Sequence, residues 1–117
     1  MRRTKENRNE ERMKLGKFSL EFLYEKILDR LKNPKKGSYT VKISENEKKL
    51  RYKILEEADE VINYRDIPNL IWEIADLIYL LNVLMAKKGI TWKDITTELE
   101  RRSCANARRK KNGIKNT

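Results

Sequence analysis

Three observations predict an all-α fold. Apolar residues recur at helical spacing, helix caps and stops punctuate the chain, and no segment alternates convincingly as a half-buried strand. The expected architecture is a helical bundle of four main helices per chain, built around a helical hairpin and dimerised into a larger bundle.

The first helix opens at Ser19, a residue type that caps helix N-termini. The rows Leu23/Ile27/Leu31 and Leu20/Tyr24/Leu28 form one broad apolar face, which Phe22 joins. Asn33-Pro34 stops this helix, because the residue before proline is pushed out of the α region. The stretch from Lys35 to Ile43 reads as a basic, glycine-containing connection. Ser44 then caps a second helix, with Glu47 completing a capping box three residues on. That helix is expected to run to about Tyr64, with Leu50, Ile54, Ala58, Val61 and Ile62 inward. Asp66-Ile67-Pro68 is a stop and restart, with proline in a first-turn position. The third helix runs to Lys88, and Gly89 suits the residue just past its end. Thr91 opens a fourth, with Ile95 and Leu99 inward, ending near Ser103.

The chain has 117 residues, enough for one domain. With no His and the single Cys104, a Cys/His zinc site, a disulfide framework and catalysis by a His base are excluded. No uninterrupted apolar run reaches the ~18 residues of a membrane span, and no export signal is visible, so the expected setting is cytoplasmic, with no membrane partner. The net charge of +10 sits at the ends: residues 1–16 hold six basic and three acidic groups, and residues 101–117 hold seven basic groups and no acid. Residues 17–100 balance, with 15 of each sign. The expected division is a mobile basic extension over 1–17, a folded domain over 18–103 and a mobile basic tail over 104–117.

The informative charges are acidic. From Leu70 to Ala86 the third helix is almost wholly apolar, and its only charged residues there are Glu73 and Asp76. Acids on such a helix are costly to bury unless they are paired or ligate a cation. The second helix offers Glu56, Glu57, Asp59 and Glu60. Glu57 and Glu60 are i, i+3, and so are Glu73 and Asp76, which puts each pair on one face about 4.5 Å apart along its axis. Glu57 and Asp76 lie equally far on either side of the Asp66–Ile67 bond, as do Glu60 and Glu73. An antiparallel hairpin turning there sets Glu57 level with Asp76 and Glu60 level with Glu73. If both faces turn inward the four carboxylates converge, which suits a hard cation, Mg²⁺ with Mn²⁺ as substitute, and a hydrated metal beside a phosphate supports hydrolysis within a polyphosphate chain. Glu56 and Asp59 read more simply as a solvated stripe.

The basic connection, with Gly37, Ser38, Tyr39, Thr40 and Lys42, could hold phosphate oxygens through backbone N–H groups and a lysine head. Lys49 and Lys53 lie one to two turns before Glu57 and could reach the same place.

The chain carries Asn33-Pro34 with Gly37-Ser38-Tyr39-Thr40-Val41-Lys42, then Glu56-Glu57-Ala58-Asp59-Glu60, then Glu73-Ile74-Ala75-Asp76, and last Lys88-Gly89-Ile90-Thr91-Trp92 with Glu98-Leu99-Glu100-Arg101-Arg102. On these pieces, from about Phe18 to Arg102, it resembles the phosphoribosyl-ATP pyrophosphatase branch of the all-α, MazG-like pyrophosphohydrolases. Leu55 stands where the family often has glycine. The resemblance implies Mg²⁺-dependent hydrolysis of phosphoribosyl-ATP to phosphoribosyl-AMP and pyrophosphate, an early step of histidine biosynthesis, by a homodimer. It implies Glu57, Glu60, Glu73 and Asp76 as metal ligands, and Glu56 as an outer or additional ligand that shares the catalytic role with Glu57. Arg30, Lys42 and Lys53, with Gly37, Ser38, Tyr39 and Thr40, would contact phosphates or ribose. The cyclohydrolase that acts next is expected on a separate chain.

Two other readings stay open: a MazG-like pyrophosphatase acting on another nucleoside triphosphate, and a helical protein binding nucleic acid through its basic ends. The second is disfavoured, since Trp72 falls in the apolar run and Trp92 follows a helix cap, both places for core or interface residues.

Overall fold

The structure is a computed structural model that describes residues 17–111. The expected mobility of residues 1–16 and of 112–117 falls outside them. Among the described residues there are five helices and no strand: α1 (Leu20–Lys32), α2 (Tyr39–Glu45), α3 (Glu47–Ile62), α4 (Ile67–Lys88) and α5 (Trp92–Lys111).

Caps set most boundaries. Ser19 accepts from Phe22 N–H at 3.0 Å and starts α1. Asp66 accepts from Asn69 N–H at 2.9 Å and starts α4, with Pro68 in its first turn. Gly89 ends α4 at φ 72°, a left-handed conformation that favours glycine. Thr91 and Asp94 cap α5 reciprocally, at 2.8 and 3.2 Å. These bonds hold the Asp94 carboxyl below its usual range.

Three boundaries differ from expectation. The basic connection folds in part into the extra helix α2: Gly37 turns the chain at φ 84°, Ser38 caps it, and Thr40 and Ile43 are buried one turn apart. Ser44 is therefore no N-cap. Its hydroxyl donates back to the Val41 carbonyl at 2.7 Å, and Asn46 caps α3 by accepting from Lys49 N–H at 3.1 Å. Finally, α5 passes Ser103 and continues to Lys111. Neither Gly nor Pro interrupts it, and Glu98 ties down Arg101 and Arg102 at 2.7 and 2.9 Å along its side.

At the centre lies α4, packed on α1, α2 and α3, while α5 meets α1. Its partner α3 runs antiparallel, and Glu47 at the start of α3 pairs with Lys88 at the end of α4 at 2.6 Å. The core consists of Tyr24, Ile27, Ile43, Leu50, Leu80, Val83, Met85 and Ala86, with Ile54, Trp92 and Ile95 packed against it. By length and composition alone α4 is long and apolar enough to cross a membrane, although Glu73 and Asp76 interrupt its apolar run as expected. Here its second half fills the core of a bundle.

Its first half does not. Trp72 is 69% exposed, so of the two places expected for it, core or interface, the core of the single chain is excluded. Ile62 and Leu99, expected inward, are exposed too. The core closes on the far end of the hairpin, where α1 and α2 cover α4, and nothing described covers the near end.

Candidate active site

The hairpin turn brings acids of α3 and α4 together. Carboxylate oxygens of Glu57, Glu73 and Asp76 lie within 4.8 Å of one another, all three side chains half-buried. Glu60 is exposed and outside this group. Three of the four expected carboxylates therefore converge, and the fourth stands at the edge.

The cluster is electrostatically unbalanced as it stands. Burial first, then contact with Glu73 and the charges of Asp76, Glu73 and Glu60, push the Glu57 carboxyl up from its ordinary value. Burial and Glu73 push Asp76 up as well, against the opposing pull of the Trp72 indole. Among the described residues, Glu57 Oε2 is a buried side-chain oxygen with no hydrogen-bond partner. Crowded anionic oxygens with one left unpartnered fit a hard divalent cation.

Other residues orient the group. The Asn69 side chain donates to Glu73 Oε1 at 3.3 Å while its own oxygen accepts from Arg65 N–H at 2.9 Å. A cavity of about 400 Å³ opens beside it, lined by Arg65, Asp66, Pro68, Asn69, Trp72 and Glu73. Neither Asn69 nor Trp72 was expected at the site; the signal lay in their i, i+4 spacing to Glu73 and Asp76.

The expected substrate contacts divide. Glu56 is exposed and pairs with Lys53 at 3.3 Å. Lys53 is half-buried, and its ammonium is held above its ordinary value by Glu56, with smaller contributions from Tyr39 and Glu57. Lys49, Lys53 and Glu56 share a groove of about 360 Å³ with Asn46, Lys48 and Tyr52. Arg30, Gly37, Tyr39 and Lys42 are exposed, while Ser38 spends its hydroxyl on capping α2. Thr40 is only 2% exposed, and its hydroxyl meets the Tyr79 hydroxyl instead of opening to a ligand. Sequence reasoning missed Tyr79, which stands one turn beyond Asp76 on α4.

Fold and site together define an all-α protein whose helical hairpin carries a half-buried carboxylate group. Residues 20–103 match the phosphoribosyl-ATP pyrophosphohydrolase family, and the chain belongs to it. It is 48% identical over 87 residues to the phosphoribosyl-ATP pyrophosphatase of Sulfurisphaera tokodaii, a match covering 71% of this chain and 93% of that protein. The phosphoribosyl-ATP pyrophosphatase of Sulfolobus acidocaldarius is 43% identical over 84 residues, covering 68% and 88%. A histidine biosynthesis bifunctional protein of Thermotoga maritima is 46% identical over 84 residues, and there the chain spans only 43% of the relative's length.

Proposed function

We propose that this chain hydrolyses the α–β phosphoanhydride of phosphoribosyl-ATP, consuming water and yielding phosphoribosyl-AMP and pyrophosphate, in histidine biosynthesis. The observation that carries this reading is the group formed by Glu57, Glu73 and Asp76, with its unpartnered Glu57 oxygen, in a member of this family. The match to the phosphoribosyl-ATP pyrophosphatase of Sulfurisphaera tokodaii, which spans 93% of that protein, supports the substrate.

Glu57, Glu73 and Asp76 would hold Mg²⁺ or Mn²⁺, with Glu60 in reach at the edge. Such an ion, when bound, neutralises the carboxylates and polarises a phosphoryl oxygen. The chain supplies the rest. Asn69 fixes the orientation of Glu73. Lys53 and Arg30 present cations toward the polyphosphate, and Glu56 pairs with the Lys53 ammonium.

A homodimer completes the reading. Ile67, Ile71 and Ile74 form a stripe along α4 that is 62%, 65% and 40% exposed, with Trp72 beside it. A face this apolar next to the site fits a second copy of the chain. The deciding experiment is pyrophosphate release from phosphoribosyl-ATP, with and without Mg²⁺, compared with ATP and the other nucleoside triphosphates. Metal-dependent turnover of phosphoribosyl-ATP in strong preference to the others is expected; equal or better turnover of an ordinary triphosphate would assign the MazG-like alternative.

A further inference from the structure

Arg30, Thr40 and Tyr79 join α1, α2 and α4 in one hydrogen-bonded node. Arg30 Nη1 donates to the Tyr79 hydroxyl at 3.0 Å, across 49 residues of sequence. The Tyr79 hydroxyl also meets Thr40 Oγ1. Since Arg30 can only donate, Tyr79 accepts from it, and the Tyr79 proton is free to go to Thr40. Thr40 is buried, so this chain of bonds is anchored in the interior. At its outer end Arg30 is exposed, and among the described residues no carboxylate pairs with it. A guanidinium has five N–H donors, and one of Arg30's is spent on Tyr79. Tyr79 stands about 4.5 Å along the α4 axis from Asp76, on the adjoining strip of helix surface.

We infer that Tyr79 is a positioning residue. It ties the Arg30 guanidinium to α4 at the residue one turn past Asp76, leaving the remaining donors for the phosphate oxygens of the ligand. Thr40 then acts through Tyr79 and does not itself touch the ligand. This rests on the polyphosphate reading of the site. A held guanidinium loses less freedom on binding than a free one, and bonds to charged oxygens are the strong kind.

The test compares wild type, Tyr79→Phe, Arg30→Ala and the double variant. Two readouts are used: steady-state kinetics on phosphoribosyl-ATP, and calorimetric binding of inorganic tripolyphosphate with Mg²⁺. Tyr79→Phe keeps the ring and loses only the hydroxyl. Its KM and its tripolyphosphate Kd are expected to rise about ten-fold, with kcat within about two-fold. The double variant should bind no worse than Arg30→Ala, since the hydroxyl acts only through the arginine. A general structural role would instead lower thermal stability and weaken binding equally in both backgrounds. Unchanged KM and Kd in Tyr79→Phe, the same loss in the Arg30→Ala background, or no tripolyphosphate binding by wild type would each overturn the inference. If wild type binds tripolyphosphate with this pattern but leaves phosphoribosyl-ATP intact, the substrate reading fails and the Tyr79 role stands. Should Tyr79→Phe not fold, Arg30→Lys serves: it keeps the charge but not the fork, so weakened binding is expected and wild-type binding would overturn the proposal.

Discussion

The indole N–H of Trp92 donates to Oδ1 of Asn82 at 2.9 Å, joining the first turn of α5 to the centre of α4. Asn82 is fully buried, and its amide N–H₂ donates to the Ile78 carbonyl at 2.8 Å. A buried amide is tolerated because both of its ends are used. Trp92→Phe keeps an aromatic ring and strands the Asn82 oxygen. A loss of about 1–3 kcal/mol in urea unfolding is expected. An exposed control such as Lys93→Ala should change little.

Removing one charge from the carboxylate group separates function from folding. Glu73→Gln or Asp76→Asn should lower Mg²⁺-dependent turnover by more than about a hundred-fold. Without metal, the same variants should melt at or above wild type, because repulsion falls. Added Mg²⁺ should raise the wild-type melting temperature and leave the variants almost unmoved. Full activity in either variant would remove that residue from the site.

Acid titration of the metal-free protein should show two opposed limbs. Glu57 and Asp76 have raised carboxyl pKa values in the folded state. They favour folding while protonated, and that contribution is lost as pH rises from the ordinary carboxylate range through their folded values. Glu98 is the opposite case. Arg101 and Arg102 pull it from 4.5 to about 2, so its contribution is present above 4.5 and lost as pH falls toward 2. Glu98→Gln should flatten the acid limb, and Glu57→Gln should flatten the limb at higher pH. Both are read from chemical-denaturation midpoints in chelator-treated protein across pH 2–8.

The exposed stripe on α4 gives a prediction about assembly. Ile71→Glu puts a charge at a position that is 65% exposed in the single chain, so the fold should survive with stability changed by roughly 0.5 kcal/mol or less. Sedimentation velocity should then show a monomer where wild type sediments as a dimer. A wild-type monomer would leave the stripe without the proposed partner.

Much of the helix plan was legible because it is local chemistry. Ser19, Asp66, Gly89 and Thr91 act on backbone groups three or four residues away, so the chain sequence contains both partners. The capping box at Ser44 misled for the same reason. Two good cap residues stand two apart, and the choice fell to Asn46 once α2 had engaged the Ser44 hydroxyl. That α2 forms at all depends on burying Thr40 and Ile43 against other helices.

The acid spacing about the Asp66–Ile67 turn already determined that Glu57, Glu73 and Asp76 meet, since helix rise and an antiparallel hairpin leave little freedom. Only the tertiary structure decided that Glu60 stays outside, that Thr40 is buried, and that Arg30 is held by Tyr79. Those outcomes depend on how α1 and α2 seat against α4. Hydrogen bonds across 39 and 49 residues are set by packing geometry, which no local pattern encodes. The apolar face that the described residues leave open has the same origin: periodicity shows that α4 is apolar, but not which part of it the other helices pack against.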